Sequence, residues 1–162
     1  MACRCRRPNF RKALKDADLT LRQTLIWNKS QMCFGRSDYQ WKHEPCLYGW
    51  IDGSSHAWYS DRKQTTVIDC KRPTKALEHP TMKPVRLFER LIKNSSKEED
   101  VVLDPFAGSG TTIIACAKTN RIARVVEYDP KYADVIRKRW TQWATDNGLE
   151  VGSGALSETR KE

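Results

Sequence analysis

The sequence predicts an α/β fold, on three observations. A short apolar strand, Val101-Val102-Leu103, leads through the turn Gly108-Ser109-Gly110 into a helical stretch, Thr111 to Thr119, and then to a second strand, Ile122 to Val126. Strand, glycine turn, helix and strand in that order make a βαβ unit, which closes as a right-handed crossover in a parallel sheet. Amphipathic helical patterns flank it: Val85, Leu87, Phe88, Leu91 and Ile92 before, and Tyr132, Val135, Ile136, Trp140 and Trp143 after.

The other elements follow from local pattern. Phe10, Ala13, Leu14 and Ala17 fall at i, i+3, i+4 and i+7, the spacing of a helix face. Leu21 to Lys29, with Leu21 and Thr24 to Trp27, reads as a strand, and Pro45 to Trp50 as a second, with Gly35-Arg36-Ser37-Asp38 turning between them. Residues 51 to 80 are loop-like, a mobile surface segment that interleaves Trp58 and Tyr59 with Arg62, Lys63, Lys71, Arg72 and Lys75. Pro84 suits the first turn of the next helix, which should dock on a sheet. The last helix, Lys131 to Trp143, carries Arg137, Lys138 and Arg139 in its C-terminal half, where the helix dipole favours cations. From Gly148 the chain reads as a frayed, flexible tail, 148 to 162.

Composition bounds the possibilities. The 162 residues include 29 Lys and Arg against 20 Asp and Glu, a net charge of +9, which fits one soluble domain and a polyanionic partner. Five of the cations lie in the first twelve residues, so a solvated basic tail competes with a broad basic face. No apolar run reaches the roughly 18 residues of a membrane span. The basic N-terminus runs into Ala13-Leu14-Lys15-Asp16 where a secretory leader would have an apolar core, so a cytoplasmic protein is expected. The six cysteines are scattered and read as reduced thiols, and Cys3-Arg4-Cys5, the only close pair, has no partner pair for a zinc site.

The βαβ unit ends on an acid, Glu127, where a carboxylate at a strand tip can accept from both hydroxyls of a ribose. A phosphate-cradling loop needs Gly-Lys-Ser/Thr, and this turn has Gly110-Thr111-Thr112. A dinucleotide site wants a third glycine where Ile113 stands, and Asp104 beside the turn would repel a diphosphate. An aminoacyl nucleoside with an ammonium and a positive centre, as in S-adenosylmethionine, suits Asp104 and Glu127 better. The alternative is that Asp104 caps the helix and the glycines merely turn the chain.

Asp104-Pro105-Phe106-Ala107-Gly108-Ser109-Gly110-Thr111-Thr112, with His79-Pro80-Thr81-Met82-Lys83-Pro84 before it, resembles the cofactor-binding half of the DNA amino-methyltransferases of the β arrangement. Leu25-Ile26-Trp27-Asn28-Lys29, His43-Glu44-Pro45-Cys46-Leu47-Tyr48-Gly49-Trp50 and Val126-Glu127-Tyr128-Asp129-Pro130 extend the likeness over roughly residues 9 to 143. The resemblance implies a permuted, Rossmann-like fold dependent on S-adenosylmethionine. It implies a partial methyltransferase domain over 1–147, with a variable DNA-facing segment at 35–75 and a cofactor-binding part at 79–143. Asp104, Phe106, Gly108 and Gly110 would line the methionine end, Glu127 would bind the ribose with Tyr128 beside the adenine, and Thr111 would belong to the same cofactor site. Thr81, Lys83 and Pro84 match the motif that closes over the cofactor, although Lys83 also reads as an exposed lysine at a helix start.

The resemblance further implies methyl transfer straight from the sulfonium to an exocyclic amine of adenine or cytosine in DNA, with no covalent cysteine intermediate. Such transfer needs an oriented amine and an aromatic ring to stack on an extruded base, which the family provides through an Asp/Asn/Ser-Pro-Pro-Tyr/Phe tetrad. No Pro-Pro occurs in this chain, and Asp129-Pro130-Lys131-Tyr132 is a decoy. No catalytic residue is therefore assigned. The tetrad belongs before Met1, and with it go two central strands, which would leave the strand at Val101 to Leu103 with a bare apolar edge. The expectation is a truncated or split methyltransferase that a complementing chain completes, with DNA as the other partner and Arg36, Arg62, Lys63, Lys71 and Arg72 contacting it. Trp41, Trp50 and Trp58 read either as DNA contacts or as satellite core. Competing readings are a non-catalytic cofactor- or DNA-binding remnant, or a methyltransferase acting on RNA or protein.

Overall fold

β-Branched and aromatic residues crowd the region after Asp18, where a residue at φ 53° ends the first helix and turns the chain into a long strand. The computed structural model describes residues 7–71 and 82–149. Its elements run α1 (Arg7–Asp16), β1 (Leu19–Cys33), β2 (Trp41–Ile51), β3 (Val67–Asp69), α2 (Val85–Ser95), β4 (Val101–Asp104), α3 (Thr111–Lys118), β5 (Ile122–Val125) and α4 (Pro130–Asp146). They divide into two compact units, the first holding β1 to β3 together with Lys93–Ser96 and the second holding the rest of α2 and everything described from Lys97 onward.

The first unit is a sheet in the order β2-β1-β3. β1 and β2 pair antiparallel, from Leu19 opposite Ile51 to Asn28 opposite His43, with a register shift between Leu21 and Gln23. Gly49 faces Leu21 there, and a Cβ on it would collide with the Thr20 carbonyl oxygen, so only glycine lets the strands approach. β3 lies parallel to the other edge of β1 and is held by Ile26 N donating to Thr66 O at 2.7 Å and Trp27 Nε1 donating to Cys70 O at 2.7 Å. The segment expected to be loop throughout thus contains a strand, because the β-branched run Thr65-Thr66-Val67-Ile68 buries Ile68 to 5% exposure on the same sheet as Trp27. The helix expected from Phe10, Ala13 and Leu14 forms as α1, with its apolar face mostly open: Phe10 is 61% exposed and Leu14 half-buried.

The second unit is the βαβ motif. β4 and β5 pair in parallel, with Val102 opposite Ala123 and Asp104 opposite Val125. Ile92 of α2 packs with Ala115 and Cys116 of α3, and Val85, Phe88, Val102 and Ala123 close round them, so α2 docks on the sheet as its apolar spacing predicts. α4 begins at an Asp129 cap, whose side chain accepts from Lys131 N at 2.9 Å with Pro130 in the first turn. Among the described residues the two sheets are separate, and the edge of β4 away from β5 carries no strand.

Candidate cofactor site

The site is built where β4 ends. Asp104 closes the strand, and each of its oxygens takes one donor from the chain: Oδ1 from Phe106 N at 3.0 Å, Oδ2 from the Thr112 hydroxyl at 2.5 Å. The carboxylate therefore ties the strand tip to the first turn of α3. Gly110 makes the bend possible. Its φ of 74° is left-handed backbone, and a Cβ there would sit 3.1 Å from both Cγ atoms of Ile136 on α4.

The loop is braced from the neighbouring strand as well. Glu127, just past β5, accepts from Gly108 N at 2.7 Å through one oxygen and from Asp129 N at 3.0 Å through the other. The Thr111 hydroxyl donates to Lys83 O at 3.2 Å, tying the segment before α2 to the start of α3, and Arg139 of α4 donates to Ser109 O. Beneath the loop lies Cys116, 1% exposed, whose thiol burial pushes up; Arg121 acts against that rise and the Asp104 charge adds to it.

A cleft of about 420 Å³ opens above this framework, lined on its polar side by Lys83, Asp104, Ser109, Thr111 and Thr112 and on its apolar side chiefly by Phe88, Ile92 and Phe106. Of the sequence-predicted residues, Lys83, Asp104, Phe106, Gly108 and Thr111 line it together. Gly110, Pro84, Glu127 and Tyr128 lie outside its lining: Gly110 shapes the bend, Pro84 is buried at the start of α2, and Glu127 braces the loop. Tyr128 is 98% exposed and Phe106 88%. Thr81 lies outside the described residues. Ser109, Thr112 and Arg139 were missed by sequence reasoning, although the polar pair after Gly110 was the available signal for Thr112.

A ligand with an ammonium and a ribose fits this donor and acceptor set. Each oxygen of Asp104 and Glu127 spends one acceptor direction on a backbone or hydroxyl donor and keeps another. The cleft volume falls in the range of small-molecule sites.

The expected DNA-facing cations are in the other unit. Arg36 sits in the β1–β2 connection, Arg62 and Lys63 before β3, and Lys71 after it; all four are exposed, and none has an ion-pair partner among the described residues. Arg72 lies outside the described residues. The tryptophans are engaged within the protein: Trp50 stacks on His56 at 4.0 Å with the Arg22 guanidinium 5.0 Å from its ring, Trp41 meets His43 edge-on, and Trp58 Nε1 donates to Asp61 O. Pro45-Cys46, the one Pro-Cys pair in the chain, lies within β2 opposite Ile26 and Leu25.

Comparison with known proteins places this geometry. Residues 50–138 match the family profile described as DNA methylase. The chain is 29% identical over 149 residues to the type II methyltransferase M2.LlaDCHI of Lactococcus lactis subsp. cremoris, which covers 82% of this chain and 55% of that protein. It is 44% identical over 61 residues to the type II methyltransferase M.HpaI of Haemophilus parainfluenzae, 38% of this chain and 19% of the relative. The chain thus spans about half the length, or less, of these curated relatives. The crystal structure of an M1.HpyAVI complex with S-adenosylmethionine superposes with a TM-score of 0.73 over 85% of this chain and 70% of its own, at 24% identity, and so shares the α/β methyltransferase fold. With the family profile matched over more than half of its length, and with the Asp104-to-Thr112 loop and the β4–α3–β5 unit in place beneath it, the chain belongs to the DNA methylase family, the DNA amino-methyltransferases.

Proposed function

We propose that the chain is the cofactor-binding part of a DNA methyltransferase, which holds S-adenosylmethionine in the cleft beside Asp104 and acts on an exocyclic amine of adenine or cytosine. The observation that carries this reading is the pair of carboxylates at adjacent strand ends, Asp104 and Glu127, each locked by chain donors yet retaining acceptor capacity. When bound, S-adenosylmethionine supplies a methyl group on a sulfonium. Asp104 orients the ammonium end, Glu127 at its strand tip takes the ribose hydroxyls, and Phe106 and Tyr128 offer apolar faces to the sulfonium side and the adenine. Lys83, with Thr81 and Pro84 of the same motif, covers the bound nucleoside, while Gly108, Gly110 and Thr111 hold the loop close to it.

Base orientation requires groups this chain lacks, so a tetrad of the Asp-Pro-Pro-Tyr type comes from a segment outside these 162 residues, carried by a complementing chain. Arg36, Arg62, Lys63, Lys71 and Arg72 neutralise DNA phosphates, an interaction that salt weakens. Such an enzyme works in the cytoplasm, and no helix among the described residues is long and apolar enough to cross a membrane. The absence of any Pro-Pro favours a second reading, a remnant that binds cofactor or DNA without catalysis.

A thermal melt with and without excess S-adenosylmethionine tests the cofactor assignment, since a ligand of the folded state raises the midpoint. An upward shift, abolished in Asp104→Ala, supports it; an unmoved midpoint refutes it. Label transfer to DNA after addition of a tetrad-bearing fragment then separates a split enzyme from a remnant.

A further inference from the structure

The long strand of the first unit ends on a thiol held against an amine. Register with β2 breaks after Asn28: β1 runs five residues on to Cys33 while β2 runs two, from His43 to Trp41, so the excess chain bulges. The bulge brings Cys33, the last residue of β1, back over Lys29, whose Nζ donates to Cys33 Sγ at 3.4 Å and to Glu44 Oε1 at 3.3 Å. Lys29 is 6% exposed and the indole of buried Trp27 lies 5.9 Å from its amine, so the group is held in place. A buried ammonium needs a partner, and the partner here is a carboxylate that can also take its proton. Cys33 is half-buried, within reach of a small solute. Cys46 and Cys70 instead have their sulfurs 3.9 Å from backbone carbonyls, Leu47 O and Lys71 O.

We propose that Cys33 and Lys29 form a reversible oxidative cross-link, a sulfenamide between Sγ and Nζ, with hydrogen peroxide as the oxidant. Peroxide first converts the thiol to a sulfenic acid: an S–O bond forms, the O–O bond breaks and water leaves. Sulfur gives up two electrons and the peroxide takes them. Lys29 then passes one proton to Glu44 and attacks the sulfur, so that an S–N bond forms as the S–O bond breaks. The leaving hydroxide collects the proton from Glu44 and departs as a second water, while the extra proton on the bonded nitrogen goes to solvent. Sulfenic acids condense in this way with thiols and with backbone nitrogen, and an amine 3.4 Å from the sulfur is already at near-attack distance. A dithiol reverses the link by attacking the sulfur, freeing the amine and closing to its own disulfide. The cross-link removes the charge of Lys29 and ties the two ends of the bulge together, where the connection bearing Arg36 begins. Neither residue belongs to the cofactor cleft.

The test treats the full chain with hydrogen peroxide, blocks free thiols and digests with trypsin for mass spectrometry. Trypsin does not cut after a cross-linked lysine, so the expected product is one uncut peptide from Gln23 to Arg36 that has lost two hydrogens, and dithiothreitol before digestion restores the cut after Lys29. Oxidation of Met32 adds oxygen to the same peptide and is told apart by fragmentation. Cys33→Ser abolishes the link, and Glu44→Gln slows its formation by about a hundredfold, the size of a lost proton acceptor, while sulfenic acid still forms at Cys33. Circular dichroism checks that the variants fold, and the peptide map of the unsubstituted chain decides the matter should they not. Cleavage at Lys29 that persists after peroxide overturns the proposal, whether Cys33 is then a free thiol, a sulfinic acid or joined to another cysteine. A block at Lys29 that survives in Cys33→Ser overturns it as well.

Discussion

Three residues show how single positions set the properties of this domain. Thr112 places its hydroxyl 2.5 Å from Asp104 Oδ2, a hydrogen bond to a charge, of a kind that contributes about 1.5–3 kcal/mol. Thr112→Val keeps the shape and removes the donor, so a denaturant melt is expected to show a loss of that size, with weaker S-adenosylmethionine binding as Asp104 loses its tether. At Gly110 the backbone is left-handed and Ile136 stands 3.1 Å from where a Cβ would be, so Gly110→Ala is expected to cost at least about 1–2 kcal/mol. An unchanged midpoint would mean the loop has another way to turn. Asp52 behaves differently because it is a surface acid: the Thr20 hydroxyl at 2.7 Å holds its carboxyl below the ordinary value, desolvation works against this, and Arg22 lowers it further. A depressed folded value contributes stability above the ordinary carboxylate range and loses it as pH falls through that folded value. Asp52→Asn should therefore lower the midpoint near neutral pH and cease to matter in strong acid, which paired melts at the two pH values would read.

At the scale of elements, packing and pairing decide what local pattern leaves open. Gly49→Ala should break the β1–β2 register, because the added methyl meets the Thr20 carbonyl at the bulge; lost amide protection along Leu19 to Gln23 would report it, and full protection would contradict it. Asp129→Ala should cost about 1 kcal/mol through the lost α4 cap. The helices and the β4–α3–β5 unit were legible because apolar residues at a 3.6 period and glycines after a short strand are local signals. β3 was not, since a three-residue strand exists only by pairing with β1, where Val67 meets Ile26 from far along the chain. The exposed face of α1 was not legible for a related reason: Phe10, Ala13 and Leu14 have helical spacing, but spacing does not say whether anything covers them. In the site, Asp104 and the glycines were readable as a motif, whereas Ser109 and Arg139 act through a contact between the loop and α4 that no linear pattern announces.

For the molecule as a whole, the division into two units makes ligand binding a local probe. All the residues that line the cleft belong to the second unit, and so do the donors that lock Asp104 and Glu127. S-adenosylmethionine at a hundredfold its Kd stabilises whatever must be folded to bind it by about 2.7 kcal/mol. If the second unit is self-sufficient, hydrogen exchange in the presence of ligand should slow by up to about a hundredfold at Phe106, Gly108, Gly110 and the amides of α3, while the β1–β2 hairpin exchanges as before. If both regions slow together, the hairpin unfolds with the cofactor site as one cooperative body, and the sheet that bears Arg36, Arg62 and Lys63 is coupled to cofactor binding. The first pattern follows from the separate sheets and from the core of Ile92, Ala115 and Cys116, which closes without any residue of β1 to β3. It also predicts that β4, which pairs with β5 alone among the described residues, is the weakest part of the second unit, with the amides of Val101 to Leu103 exchanging faster than those of α3.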